Sequence, residues 1–105
     1  MATKKLRPVH PGDILRHEFL EPLTLSTYEL AKRLKVSTSS VDEIVRRRRA
    51  VTAEMSLRLS RYFGTTAQFW QNLQSQYDLE IASDKIGKQV ERAIRPRRGL
   101  DPLVR

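Results

Sequence analysis

The sequence predicts an all-α fold. Three observations predict it. Apolar residues recur at three- and four-residue spacing along most of the chain. Hydroxyl residues stand at the start of the periodic stretches, at Ser26, Ser37, Thr52 and Thr65, where helix N-caps belong. No stretch alternates apolar and polar residues as a half-buried strand does. The chain has 105 residues, which leaves room for one modest core.

Residues 1–9 read as a flexible basic arm, and His10, Pro11 and Gly12 as a turn. The first helix is expected from Gly12 to Glu21, with Ile14, Leu15, Phe19 and Leu20 as its apolar set. Pro22 should stop it, because proline lacks the amide a helix needs there. The second helix opens at Ser26, with Glu29 three residues on as the other half of a capping box, and runs to Leu34. Leu30 and Leu34 stack on one face, and Ala31 is small enough to let another helix approach. Lys35, Val36 and Ser37 form a break in which Val36 plugs the gap between helices. Ser37 caps a third helix running to about Arg46, with Val41 and Ile44 inward and Val45 beside them.

Thr52 caps the fourth helix, which ends at Phe63 before Gly64, a residue suited to a left-handed terminus. Its inward set is Met55, Leu59, Tyr62 and Phe63. Thr65 with Gln68 makes a second capping box for a fifth helix bearing the stripe Phe69, Trp70, Leu73, Tyr77 and Ile81. A weak last helix spans Asp84 to Ile94, aligns Ile86, Val90 and Ile94, and is ended by Pro96. The rest is short, basic and expected to be disordered. The organisation is thus an arm at 1–9, a domain at 10–82 and a basic extension at 83–105.

Composition excludes several classes. No segment reaches the roughly 20 apolar residues of a membrane span, no signal peptide is visible, and there is no cysteine for a disulfide or thiolate metal site. These features fit the cytoplasm. The net charge is +8, distributed as +1 over residues 1–24, +4 over 25–52, −1 over 53–82 and +4 over 83–105. The excess sits on the central helix pair and the tail, which favours a polyanion partner; a merely solvated basic surface is the plainer alternative.

The stretch from Leu25 to Arg49 has the form of a helix-turn-helix, whose second helix enters the DNA major groove. With Val41 and Ile44 inward, the opposite face of the third helix holds Ser39, Glu43 and Arg46, flanked by Thr38 and Asp42. The hydroxyls of Ser37, Thr38, Ser39 and Ser40 suit base edges or phosphates, and the amides of the helix start favour a phosphate. Thr27 is placed for a backbone contact. Arg46 suits guanine, whereas Arg48 and Arg49 suit phosphates. A solvated charge run at the negative end of the helix dipole is the competing reading. Asp42 and Glu43 either accept from cytosine or form the acid-first pairs Asp42–Arg46 and Glu43–Arg47, the second being preferred.

One such domain reads few base pairs, so a dimer spanning half-sites about 34 Å apart is expected. Phe69, Trp70, Leu73 and Tyr77 are the interface candidates, against the alternative that they pack on the chain's own helices.

The assembled blocks resemble HigA-type antitoxins, the group of virulence-associated protein I within the Xre, lambda-repressor-like helix-turn-helix superfamily. The resemblance is carried by His10-Pro11-Gly12-Asp13-Ile14-Leu15, Glu18-Phe19-Leu20-Glu21-Pro22-Leu23, the two-helix motif, Arg49-Ala50-Val51-Thr52, Leu57-Arg58-Leu59, Tyr62-Phe63-Gly64-Thr65, Phe69-Trp70-Gln71-Asn72-Leu73-Gln74 and Tyr77-Asp78-Leu79, over about residues 9–82. It implies a five-helix domain, a homodimer formed through the C-terminal part, repression at a palindromic operator in double-stranded DNA of the chain's own promoter, and neutralisation of a small basic ribonuclease toxin that cuts mRNA on ribosomes. By position in the motif it gives operator-contact roles to Thr38, Ser39, Asp42 and Arg46. Two departures stand out. Lys35 occupies a turn position usually held by glycine, at about 1 kcal/mol if left-handed. Arg46-Arg47 replaces an Asn-Gly pair, which predicts a third helix that runs longer or ends less cleanly.

A stand-alone transcription regulator without a toxin is the alternative and shares every residue above. An enzyme is disfavoured. His10 and His17 lack a carboxylate constellation, and no phosphate loop, metal spacing or nucleophile motif occurs, so no cofactor or metal is expected. An RNA-recognition sheet is likewise missing from the pattern.

Overall fold

The computed structural model describes residues 7–98. Five helices surround one core, and no strand occurs among the described residues. The first, α1, is a continuous helical run over residues 11–23: α-helical at Pro11–Ile14, π-helical at Leu15–Leu20 and α-helical again at Glu21–Leu23. Then follow α2 (Thr27–Leu34), α3 (Thr38–Val45), α4 (Ala53–Phe63) and α5 (Ala67–Ala93).

The first helix departs from the sequence reading at both ends. His10 is its N-cap rather than part of a free turn: Nδ1 accepts from the Gly12 amide at 2.9 Å, and Asp13 Oδ2 accepts from the His10 amide at 3.1 Å. Pro22 lies inside the run rather than stopping it. A proline ring clashes with the carbonyl four residues back in a regular turn. The preceding π turn is wider, with Glu21 bonded to the Arg16 carbonyl five residues earlier, and it accommodates the ring.

The hydroxyl caps act locally. Ser26, Ser37 and Thr52 accept from the amides of Glu29, Ser40 and Met55. At the fifth helix the cap is Thr66, which accepts from Phe69, while Thr65 Oγ1 instead accepts from the Trp70 indole at 2.8 Å. The weak last helix predicted from Asp84 is not separate. It continues α5 without a break, because nothing between Ile81 and Asp84 interrupts the backbone bonds. Residues 94–98 carry no regular helix or strand, and the expected disorder of the far tail and of the start of the arm concerns residues 99–105 and 1–6, outside the described ones.

The core gathers Leu15 and Leu20 from α1, Leu30, Ala31 and Leu34 from α2, Val41 and Ile44 from α3, Val51 from the loop, Met55 and Leu59 from α4, and Trp70 from α5. Val36 packs against it from the turn, as its apolar character requires. Tyr62 does not join: it is exposed, while Phe63 and Phe19 meet at a tilt of 49° with ring centres 4.7 Å apart. Sequence periodicity missed the buried polar groups. Gln74 accepts from the Val51 amide at 2.8 Å, and Gln71 donates to the Val51 carbonyl at 3.1 Å and to buried Ser56 at 2.7 Å. Two glutamines of α5 therefore hold the loop that leaves α3. The molecule extends 54 × 31 × 24 Å because the second half of α5 projects beyond this core.

Candidate nucleic-acid interface

The third helix lies with Val41 and Ile44 each 1% exposed, and its other side turned outward. Thr38 and Ser39 at its start are exposed, and so is Arg46 at its end. Ser37 Oγ contacts the hydroxyls of Ser39 at 3.2 Å and Ser40 at 2.8 Å. A small hydroxyl cluster thus surrounds the first amides of the helix, and one of its members, Ser40 Oγ, also accepts from Arg49 at 3.3 Å. Thr27 opens α2 and is partly exposed.

The far end is organised by a backbone turn. Arg47 is left-handed at φ 65°, its amide bonding the Ile44 carbonyl at 3.0 Å while the Arg48 amide bonds the Glu43 carbonyl at 2.7 Å. This pair of bonds is a Schellman motif, normally closed by glycine. The helix therefore ends cleanly at Val45, contrary to the expectation of a longer or frayed end. The same motif closes α2 at Lys35, φ 63°, and α1 at Thr24, φ 51°.

That turn sorts the four arginines. Arg46 pairs with Asp42 at 3.8 Å, as the acid-first spacing predicts. The expected Glu43–Arg47 pair does not form. Once the backbone turns left-handed, Arg47 leaves the helical i,i+4 position, and its Nε donates to Asp13 Oδ1 of α1 at 2.8 Å. Glu43 is taken instead by Arg49, whose Nη2 lies 2.6 Å away and whose Nη1 reaches Ser40 Oγ at 3.3 Å. Arg48 is exposed without an acidic partner among the described residues.

Sequence reasoning also missed a contribution from α1. Arg16 and His17 line a cleft with Arg46, Arg47 and Arg48, and Asp13 is the acid among its lining residues. Both Arg16 and His17 lean on Glu21, at 3.3 Å and 3.2 Å, and the hydrogen bond from His17 is the first cause holding the Glu21 carboxyl below its usual range. Gly12 backs this corner: a Cβ there would overlap the Ile44 carbonyl oxygen. His10, 2% exposed, has its pKa lowered, chiefly by burial, against the opposing pull of Asp13 and Asp78. Its ring meets Tyr77 edge-on at 4.8 Å. No signal in the sequence joins Asp13 to Arg47, which lie 34 residues apart.

The dimer candidates divide. Trp70 is fully buried in its own chain against Phe19, at 5.2 Å between ring centres, and is corrected to a core residue: its ring fills the space beside α1 while its indole N–H is satisfied by Thr65 Oγ1. Leu73 and Tyr77 are half-buried, and Phe69 is exposed at 37%. The unpartnered apolar residues lie further along α5, at Leu79, Ile86 and Val90, with Ile94 just beyond it. Among the described residues no metal-holding cluster occurs, and no helix is long and apolar enough to cross a membrane.

Comparison with known proteins matches residues 17–70 to a helix-turn-helix family model. Virulence-associated protein I of Dichelobacter nodosus is 55% identical over 77% of this chain and 75% of its own length. An HTH-type transcriptional regulator of Escherichia coli K12 is 44% identical over 86% of this chain and 78% of its own. Among solved structures, antitoxin HigA of Pseudomonas aeruginosa with the higBA promoter is 53% identical, with a TM-score of 0.84 over 86% of this chain and 98% of that one.

Proposed function

Since this chain belongs to the helix-turn-helix family, among its HigA and virulence-associated protein I members, we propose that it binds operator DNA at its own promoter as a repressor and acts as the antitoxin of a toxin–antitoxin pair. One observation carries the DNA half: α3 turns an exposed hydroxyl-rich start and Arg46 outward, on a chain that superposes on an antitoxin solved with promoter DNA. In this reading Ser37, Thr38, Ser39, Ser40 and Arg46 meet base edges or adjacent phosphates, and Asp42 holds Arg46 extended. Thr27, Arg48 and the first amides of α3 meet phosphates. Arg49 is drawn back by Glu43, so it reaches DNA only by exchanging that partner.

The operator is palindromic and the chain works as a homodimer. Support comes from α5. At 100° per residue Leu79, Ile86 and Val90 fall within about 40° of one another, an apolar strip on a projecting helix that a second copy would cover. The interface thus moves toward the C-terminal half of α5, with Phe69, Leu73 and Tyr77 at its inner margin and Trp70 beneath. The toxin is a small basic ribonuclease, and the pair acts in the cytoplasm. The domain proper spans residues 10–82, the arm 1–9 and the extension 83–105. The chain binds and does not catalyse.

The stand-alone regulator reading is favoured by the Escherichia coli relative named as a transcriptional regulator. Gel shifts on the chain's own promoter, with and without the product of the adjacent reading frame, separate the two. A shifted promoter together with co-purification of that product supports the antitoxin. A shifted promoter with no interacting product leaves the regulator alone. A chain that shifts no promoter DNA overturns the DNA reading itself.

A further inference from the structure

We infer that Asp13 is a positioning residue that withholds Arg47 from the DNA backbone; the inference rests on the DNA reading of α3. Four arginines in a row leave α3, and each added cation near a duplex strengthens binding to any sequence through counterion release. A phosphate contact strengthens operator and random duplexes alike, so keeping such a cation out of reach lowers affinity and salt dependence on DNA of any sequence and leaves the ratio between sequences to the groups that read bases. Arg47 is such a cation. Its left-handed backbone turns it off the outer face of α3. Asp13 then receives its Nε at 2.8 Å, in a pair whose side chains are only 32% and 20% exposed.

The acid is held ready for this task. Asp13 sits in the first turn of α1, where its second oxygen accepts the His10 amide at 3.1 Å. His10 in turn accepts from Gly12, and Gly12 abuts the Ile44 backbone. The His-Pro-Gly-Asp segment thus couples the start of α1 to the end of α3, and one carboxylate serves both the cap and Arg47. The neighbouring cations are arranged differently. Arg46 is on the outer face with a loose pair at 3.8 Å, and Arg48 is exposed. Asp13 acts only through Arg47 and touches no base.

The test compares operator and random-sequence duplexes across a salt series, for the full chain and for Asp13→Asn, Arg47→Gly and the double variant. Asparagine keeps an oxygen for the His10 amide but loses the charge that holds Arg47. Glycine suits φ 65° without strain, so Arg47→Gly folds. In Asp13→Asn the slope of log affinity against log salt on random DNA should steepen by about 0.9, one added phosphate contact. Its affinity for operator should rise by the same factor, so the ratio of operator to random binding should stay where it is. Arg47→Gly should leave the slope where it is, and adding Asp13→Asn to it should change neither slope nor preference. A purely structural role for Asp13 would lower the melting temperature and leave the slope alone, which would overturn the inference. A slope that shallows by about 0.9 in Arg47→Gly would overturn it too, since Arg47 would already be on a phosphate. That second outcome can overturn the inference even where Asp13→Asn melts below the assay temperature. In either case operator binding by the unaltered chain would stand; absence of any DNA binding would remove both proposals together.

Discussion

The two ends of α3 face solvent by different means. At the start, the cap closes within a few residues: Ser37 accepts from the Ser40 amide, and its hydroxyl touches those of Ser39 and Ser40. At the end, the links reach outward. Arg47 crosses to α1, Arg49 folds back over Glu43 and Ser40, and the loop beyond is held by Gln71 and Gln74 of α5. A hydroxyl cap is a local device that forms wherever a helix begins. A run of like charges is sorted by the backbone beneath it. One left-handed residue divides four identical side chains between an outward face, a half-buried pair with α1, open solvent and a clasp back onto Glu43.

The largest effect that would break this contrast lies at Gly12. Gly12→Ala drives a methyl into the Ile44 carbonyl and should destabilise the domain by about 3 kcal/mol, the upper part of the overpacking range. A thermal melt checks it; an unchanged midpoint would mean that α1 does not brace the end of α3. Next, Arg46→Ala should cost about 1–3 kcal/mol of discrimination at one half-site position. Its exposed 3.8 Å pair predicts little loss of stability. Competition with single-position operator variants measures this, and a uniform loss on every duplex would move Arg46 to the phosphates. At the other end, Ser37→Ala removes a cap and should lower stability by about 1 kcal/mol without touching the Arg47–Asp13 link. A steeper salt slope in that variant would show that the two ends are coupled.

The smallest effect is a pH dependence at His10. Burial lowers its folded pKa, so the folded state holds it neutral with Nδ1 accepting from Gly12, while the unfolded chain takes a proton near the ordinary value. Its contribution is complete above that ordinary value and is lost as pH falls through it. Melting temperature should therefore drop between about pH 7.5 and 5.5, above the range where Glu21 titrates. His10→Asn, which keeps an acceptor, should flatten the dependence; an equally steep profile in that variant would assign it elsewhere.

Much of this was legible from residue order. Ser26, Ser37 and Thr52 marked helix starts, Gly64 marked a helix end, and Leu30, Leu34, Val41 and Ile44 marked the inward faces. The fifth cap was displaced by one residue because two threonines stand side by side, and only packing decides that Thr65 serves the Trp70 indole. Pro22 signalled a stop because the rule presumes a regular turn before it, and the π turn removes that premise. Trp70 could have faced either a partner or the core, since an aromatic stripe is written the same way for both.

Helix positions, caps and the outward hydroxyl face follow from sequence alone, because the bonds that set them join residues within four positions of each other. The destination of Arg47 on Asp13, the burial of Trp70 against Phe19 and the hold of Gln71 on the loop at Val51 were decided only by the tertiary structure. Those contacts join residues 20 or more positions apart, and they exist only once helix packing has brought distant elements within reach.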